Sequence, residues 1–311
     1  MVEYEIIRHD QIKGLNVLAN DIHMRSLHMH HDMELLLVVR GTGMINVRNK
    51  KCHVVPGDAI LVNAFDTHEI ICIQEGIVCL IVQVSNHFLR DYYPAIRNII
   101  FLEESIRPFF SEEEYQRLCQ DIFDLTELYV KAEPLFELSC VTRMSDILYL
   151  LIRNVPTEML NEAEYTKRKK LNRRFNRISS YIEANYQNQI RLADIAEQEE
   201  ITITHLSHIF RDHFGISFQE YIKGKRLEHA LRLIGDKTMT LSDIASASGF
   251  SELKYMTRAF REAFDLTPEQ FRKQWIPLKS TVRENTGEPE RILTGSETLS
   301  LLKETKLSDI L

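Results

Sequence analysis

An internal repeat between residues 191 and 275 restricts this chain more than any other feature. Leu192-Ala193-Asp194-Ile195-Ala196 returns as Leu241-Ser242-Asp243-Ile244-Ala245, forty-nine positions later, and Ile201-Thr202 returns as Phe250-Ser251 at the same offset. One inserted residue shifts the remainder to an offset of fifty. HLSHIFRDHF (205–214) then matches YMTRAFREAF (255–264), and GISFQEYI (215–222) matches DLTPEQFR (265–272). Two copies of one supersecondary unit are expected. Each opens on a short helix whose small residue, Ala196 or Ala245, lets a second helix cross closely. A tight turn follows, supplied in the second copy by Gly249, because glycine takes a positive φ at little cost. Thr202 and Ser251 are suited to cap the next helix. In that helix Leu206, Ile209 and Phe210 recur at i, i+3 and i+4 and face a core, with Met256, Ala259 and Phe260 as counterparts.

The opposite face carries Thr204, His205, Ser207, His208 and Arg211 in the first copy. In the second it carries Leu253, Lys254, Thr257, Arg258 and Arg261. Hydrogen-bond donors on a protruding helix are what reading base edges in a major groove requires; the plain alternative is a helical bundle with a solvated face. The segment IASASGFSELKYMTRAFREAFDLTPEQFR (244–272) resembles the signature of the AraC/XylS family of bacterial transcription regulators, and the likeness covers 171–275. That resemblance implies two helix-turn-helix units entering neighbouring major-groove segments of double-stranded DNA. The joining helix would be SFQEYIKGKRLEHALRLI, ending near Gly235. By position, base reading falls on Thr204, Ser207 and His208, and on Leu253, Lys254 and Arg258. Arg258 is the strongest of these, because a guanidinium grips guanine at two atoms. One departure stands out: Glu200 occupies the first turn where the family has glycine. Either Glu200 bears backbone strain or that turn takes another form, and it sets an acid near DNA.

Charge is compatible with this reading only when divided. The whole chain has a net charge of -7, but residues 170–275 hold sixteen Lys and Arg against fourteen Asp and Glu, a balance of +2 that leaves -9 for the rest. Binding must then depend on where the basic residues sit. The basic run TKRKKLNRR (166–174) reads as a solvated linker or helix start, or as a phosphate-contacting segment.

Residues 34–84 have a different character. ELLLVVR, MINVR, CHVV, AILVN, EIICI and IVCLIVQV are short, rich in Val and Ile, and broken by Gly41-Thr42-Gly43 and Pro56-Gly57-Asp58, which indicates an all-β sandwich or barrel. His28, His30 and Glu34, followed by Gly41 and later by His68, resemble the ligand pattern of the cupin barrel over roughly 25–85. The second cupin motif is weak here, with Asn63 and Phe65 where Pro and Gly are usual. Three readings of His28, His30, Glu34 and His68 stay open: a polar pocket for a small effector, a divalent-metal site, or residues that hold the barrel together. Regulators resembling this chain commonly sense sugars or related metabolites, so a sugar effector is the expectation. Beyond residue 86 two helices are expected. One runs from Ser111, three residues before Glu114 in a capping pattern, through Leu118, Ile122, Leu125 and Leu128. The other has a stripe of Leu138, Val141, Ile147, Leu148 and Leu151. By resemblance these helices dimerise; otherwise they pack on the barrel.

The expected fold is α+β. A cupin-like barrel with helical dimerisation segment (1–160) precedes an all-α domain of two helix-turn-helix units (161–275) and an extension (276–311) whose role is not readable. The expected partners are double-stranded DNA, a small-molecule effector and a second copy of the chain, with no cofactor. No stretch is apolar enough to span a membrane. Five scattered cysteines without a C-x-x-C pair suit a reducing cytoplasm. The expected protein is no enzyme; the alternatives are a metal-dependent cupin enzyme fused to a DNA-binding module, or the regulatory part of a longer sugar-processing polypeptide.

Overall fold

The near-continuous apolar runs at 34–39 and 77–84 are explained by a sheet buried on both faces. The computed structural model describes residues 3–311 apart from 6, 49, 73–75, 86, 215, 275–289 and 306. The chain forms two compact units. One comprises Glu5–His23, Met29–Arg173 and Glu290–Leu311; the other comprises Arg174–Pro289 with Met1–Tyr4 and Met24–His28.

In chain order the first hundred or so residues contain β1 (Glu3–Tyr4), β2 (Leu15–Ile22), β3 (Met24–Met29), β4 (Asp32–Arg40), β5 (Gly43–Val47), β6 (Lys50–Val54), β7 (Ala59–Val62), β8 (His68–Ile71), β9 (Ile77–Ser85) and β10 (Ile99–Phe101). Then come α1 (Glu112–Lys131), α2 (Phe136–Asn154) and β11 (Thr157–Met159), and, after the helical unit, β12 (Glu290–Ile292) and α10 (Gly295–Glu304). Two five-stranded sheets result, ordered β1-β3-β8-β5-β6 and β12-β2-β9-β4-β7. They share an interior in which Leu36, Val38, Val62, Cys79 and Ile81 of the second sheet meet Ile45, Val47 and Ile70 of the first. The other face of the second sheet, through Leu35, Leu37, Leu80 and Val82, packs on Leu118, Ile122, Leu125, Met144 and Leu151 of α1 and α2. Period-two alternation therefore sends successive residues of β4 and β9 into two different cores. Truncating one of them, Leu36→Ala for instance, removes packing worth about 2–5 kcal/mol.

Ser111 caps α1 by accepting a bond from the Glu114 N–H, and Glu112, Glu113 and Glu114 complement the helix dipole in its first turn. The stripe expected on α2 needs one correction. Leu138 is largely exposed, and the buried face is built from Cys140, Met144, Ile147, Leu148 and Leu151. Met144 and Leu148 continue the core stripe at i and i+4, whereas Leu138 lies six residues before Met144, on the other side of the helix.

The expected boundary at 275–276 lies outside the described residues. Beyond it, β12 pairs antiparallel with β2, Glu290 opposite Ile22 and Ile292 opposite Asn20. Thr294 and Glu297 form a capping box at the start of α10. Leu301 is buried in the same core as α1, joined there by Leu293, Leu302, Leu307, Ile310 and Leu311. Gly57, at φ +91°, makes room for this segment: a Cβ there would fall 1.9 Å from the Ile310 carbonyl oxygen. Residues 290–311 thus complete the β-rich unit.

The helical unit contains α4 (Leu192–Gln198), α5 (Ile203–Phe214), α6 (Phe218–Ile234), α7 (Leu241–Ala247), α8 (Leu253–Phe264) and α9 (Pro268–Gln274), preceded by α3 (Glu162–Asn185). The basic run at 166–174 is part of α3, where Arg174 reaches Glu199 at 3.4 Å. Ser217 and Glu220 form a capping box that starts α6, and the helix ends at Gly235. Two small aromatic cores result. Phe175, Phe210 and Tyr221 meet edge to face at centroid distances of 5.3–6.3 Å in the first. Phe260, Phe264 and Phe271 pack at 4.8–5.7 Å in the second.

Candidate nucleic-acid interface and barrel cluster

Each repeat folds into a short helix, a tight turn and a second helix. Ile195 and Ala196 of α4 are buried, as are Ile244 and Ala245 of α7, so small residues do sit where helices cross. Gly249 takes φ +82°, and Glu200 takes φ +53° at the matching turn. Both turns therefore have one form, and the glutamate adopts the left-handed backbone that its position demands. Thr202 accepts a bond from the His205 N–H at 3.1 Å and caps α5. Its counterpart departs from expectation. The cap position of α8 is Glu252, with no side-chain capping bond, and Ser251 lies one residue outside it.

The second helices bury the same positions at an offset of fifty. Leu206, Ile209 and Phe210 are buried on α5, as are Met256, Ala259 and Phe260 on α8. Thr204, His205, His208 and Arg211 are exposed and Ser207 is half-buried; on α8, Lys254, Arg258 and Arg261 are exposed and Thr257 is half-buried. Leu253 is half-buried at the start of α8. Thr257 donates its hydroxyl to the Leu253 carbonyl at 3.0 Å. A shallow depression on α8 is lined by Leu253, Lys254, Thr257, Arg258, Arg261 and Glu262. The Arg258 side chain is 77% exposed, within reach of a ligand. Sequence reasoning missed Glu262, which accepts from Arg258 Nε at 2.7 Å and from Lys223 of α6 at 2.6 Å. Its i+4 spacing from Arg258 was the available signal. Also missed was Tyr255, exposed on α8 with the Lys254 ammonium 5.0 Å from its ring centroid.

In the barrel, His30, Glu34 and His68 converge and are fully buried, as is His28. Glu34 Oε2 lies 3.1 Å from His30 Nε2, and Glu34 Oε1 lies 3.4 Å from His68 Nε2. Ligand atoms of His28, His30 and His68 all fall within 4.8 Å of one another. Register explains the convergence: Glu34 alternates with Leu36 and Val38 into the interior, opposite Gln83 of β9. Gln83, which sequence reasoning missed, donates to Glu34 Oε2 at 2.7 Å. Only the pairing of two strands forty-nine residues apart reveals it.

Burial alone would raise the Glu34 carboxyl, but bonds from His30 and His68 and their charge outweigh it, holding the group well below the usual carboxylate range. Burial pushes the His30 imidazole down, while its bond to Glu34 and that carboxylate's charge bring it above its ordinary value. Each imidazole is also anchored at Nδ1: His28 to the Ser26 carbonyl at 2.8 Å, His30 to the Asp32 carbonyl at 2.9 Å and His68 to the Asp66 carbonyl at 3.2 Å. This leaves Nε2 of each ring as its ligand atom, the arrangement in which histidines hold divalent metals.

Among the described residues no helix is long and apolar enough to cross a membrane. Residues 195–274 match the helix-turn-helix domain family, and residues 23–84 match the cupin domain family. The chain is similar to an uncharacterized HTH-type transcriptional regulator of Staphylococcus aureus strain MRSA252, 24% identical over 235 residues, covering 76% of this chain and 30% of that protein. It is also similar to the uncharacterized HTH-type transcriptional regulator YijO of Escherichia coli K12, 32% identical over 101 residues, covering 32% of this chain and 36% of that protein. The chain thus spans about a third of the length of these curated relatives. Among solved structures, ToxT from Vibrio cholerae is 14% identical with a TM-score of 0.43, covering 84% of this chain and 99% of that one.

Proposed function

We propose that this chain, an AraC/XylS-type helix-turn-helix protein with an N-terminal cupin domain, is a sequence-specific DNA-binding transcription regulator. The observation that carries the reading is the matched burial on α5 and α8, which turns donors outward at equivalent positions of both repeats. Thr204, His205, Ser207, His208 and Arg211 form one reading surface, and Lys254, Thr257, Arg258 and Arg261 the other. Residues 161–275 bind double-stranded DNA and residues 1–160 sense and dimerise. Selecting binding sites from a random duplex library with the full chain tests this. The expected product is a motif with two recognition segments about one helical turn apart, bound with a steep salt dependence. Enrichment of no motif, or binding indifferent to salt, overturns the reading.

The finer part of the proposal concerns the effector. His30, Glu34, His68 and Gln83 supply buried donors and acceptors of the kind sugar hydroxyls need, and His28 joins them. A sugar or related metabolite bound there acts by unequal affinity for two states of the protein. A thermal-shift screen of sugars against the wild type and Glu34→Gln identifies it, since a ligand of the native state raises its stability. A sugar that stabilises both proteins equally binds elsewhere.

A second reading is favoured by the three anchored imidazoles. His28, His30, His68 and Glu34 have the donor chemistry to hold a divalent ion, which when bound would polarise an oxygen ligand. Elemental analysis of the purified protein distinguishes the two. Stoichiometric metal lost on His30→Ala favours the ion, and a metal-free protein that binds sugar favours the pocket.

A further inference from the structure

We propose that Ile203 and Leu253, the first residues of α5 and α8, each pack on the 5-methyl group of a thymine, so that both recognition segments of the bound duplex carry that base at the same place. This base preference presupposes the DNA-binding reading above, and it adds Ile203 to the reading surface of the first repeat.

The two repeats share a row of side chains. At i, i+4 and i+8, one above the other along a helix, α5 presents Ile203, Ser207 and Arg211, and α8 presents Leu253, Thr257 and Arg261. Each row is a branched aliphatic residue, a small hydroxyl and a guanidinium, and the two rows are related by the offset of fifty. The adjoining positions are not shared: Thr204 and His208 in the first copy become Lys254 and Arg258 in the second. Ile203 is 52% exposed, so the core of its own unit leaves much of this aliphatic side chain uncovered. Leu253 is half-buried and lines the depression on α8 beside Thr257 and Arg258. The Thr257 hydroxyl donates to the Leu253 carbonyl at 3.0 Å, so its one donor is taken within the helix. On α5 the cap from Thr202 to the His205 N–H fixes the first turn, and Ile203 with it.

The N-terminal residues of a helix lying in the major groove are those that meet base edges. The thymine methyl is the apolar group among the features that distinguish bases there; the rest are hydrogen-bond donors and acceptors, which an isoleucine or leucine cannot answer. Covering that methyl removes apolar surface of both partners from water. A shared aliphatic position therefore selects a shared thymine, and the unshared neighbours select different bases around it.

The duplex selected with the full chain is resynthesised with each thymine replaced singly by uracil, which removes the methyl and keeps the base pair. Affinities are compared at one ionic strength. One such replacement in each recognition segment is expected to weaken binding by about fourfold, as exposure of a buried methyl dictates. Ile203→Ala is expected to bind thymine and uracil duplexes equally at one of these positions and to keep the full difference at the other, and Leu253→Ala to do the reverse. A residue that only steadied the start of its helix would weaken both duplexes alike. Each comparison is made within one protein, so a change in its stability cancels; should Leu253→Ala fail to fold, Ile203→Ala, at an exposed site, decides. A selected motif in which no thymine is sensitive to uracil, or a sensitivity that survives the alanine substitutions, overturns the proposal and leaves the regulator reading standing. Enrichment of no motif overturns both.

Discussion

Arg258 and Glu262, one turn apart on α8, are joined by a hydrogen bond of 2.7 Å from the guanidinium Nε to the carboxylate, and Lys223 of α6 shares that carboxylate. The group best suited to grip guanine is thus held in the free protein by an acid of its own helix. An exposed pair of this kind is worth at most about 1 kcal/mol, so a duplex can take the guanidinium over.

Arg258→Ala should weaken binding to the selected DNA by roughly 1–3 kcal/mol at fixed salt and relax sequence preference at one position. Glu262→Gln should tighten binding to all duplexes, because it frees two cations and removes a negative charge. Fluorescence anisotropy at a single ionic strength measures both. Unchanged affinity in Arg258→Ala would remove that residue from the reading face.

The paired turns make opposite predictions. At Gly249 an added Cβ would lie 2.7 Å from Gln187 Cα and 3.0 Å from two carbonyl oxygens, so Gly249→Ala should destabilise the helical unit by a few kcal/mol, on the order of the usual strain plus the clash. Glu200→Gly should be neutral or stabilising by less than about 1 kcal/mol, since relieved strain is offset by the freedom glycine adds to the unfolded chain. Chemical denaturation of the two variants reads both signs. A destabilised Glu200→Gly would mean that the glutamate side chain contributes more than its backbone costs.

Within the helical unit the buried Glu228 of α6 accepts from the Ser26 hydroxyl at 2.7 Å and from the Lys225 ammonium at 3.1 Å, and pairs with Arg232. Burial pushes its carboxyl up, but Lys225 and Arg232 bring it down to about 2 from an ordinary 4.5. A depressed carboxyl stabilises the fold fully above pH 4.5 and loses that contribution as pH falls toward 2, about 3 kcal/mol in all. Glu228→Gln should be less stable at neutral pH and should show a flatter acid titration between those values. Parallel curves for the two proteins would place the acid sensitivity elsewhere.

Four cysteines are buried, and burial pushes the thiols of Cys72 and Cys140 up to about 11 and that of Cys119 up to about 12, with Cys79 also well above normal. Cys52 is half-buried and its thiol is raised too. Iodoacetamide at pH 8 should therefore modify Cys52 slowly and the other four positions only after denaturation. Rapid labelling of Cys72 or Cys119 in the native protein would indicate opening of the β-rich unit.

The helical unit was legible from its sequence because its information is local. A repeat, a glycine turn and the i, i+3, i+4 spacing of Leu206, Ile209 and Phe210 lie within one short stretch. Leu15–Ile22 and Glu290–Ile292 escaped notice for the opposite reason: the first carries Asn16, Asn20 and Asp21 among its apolar residues, and the second is three residues long and is defined only by its pairing with β2. The barrel cluster was half legible. His28, His30 and Glu34 are close in sequence, but Gln83 joins them through strand register alone.

The return of residues 290–311 to the β-rich unit bears on how the protein is made. Synthesis must run through the whole helical unit before the edge strand and α10 leave the ribosome, a delay on the order of ten seconds at ordinary elongation rates. During that interval β2 has a bare edge and the apolar surface that receives Leu301 is uncovered. The apolar surface that receives Leu301 therefore stays open while the helical unit is being made, and a nascent-chain chaperone would find its hydrophobic target there.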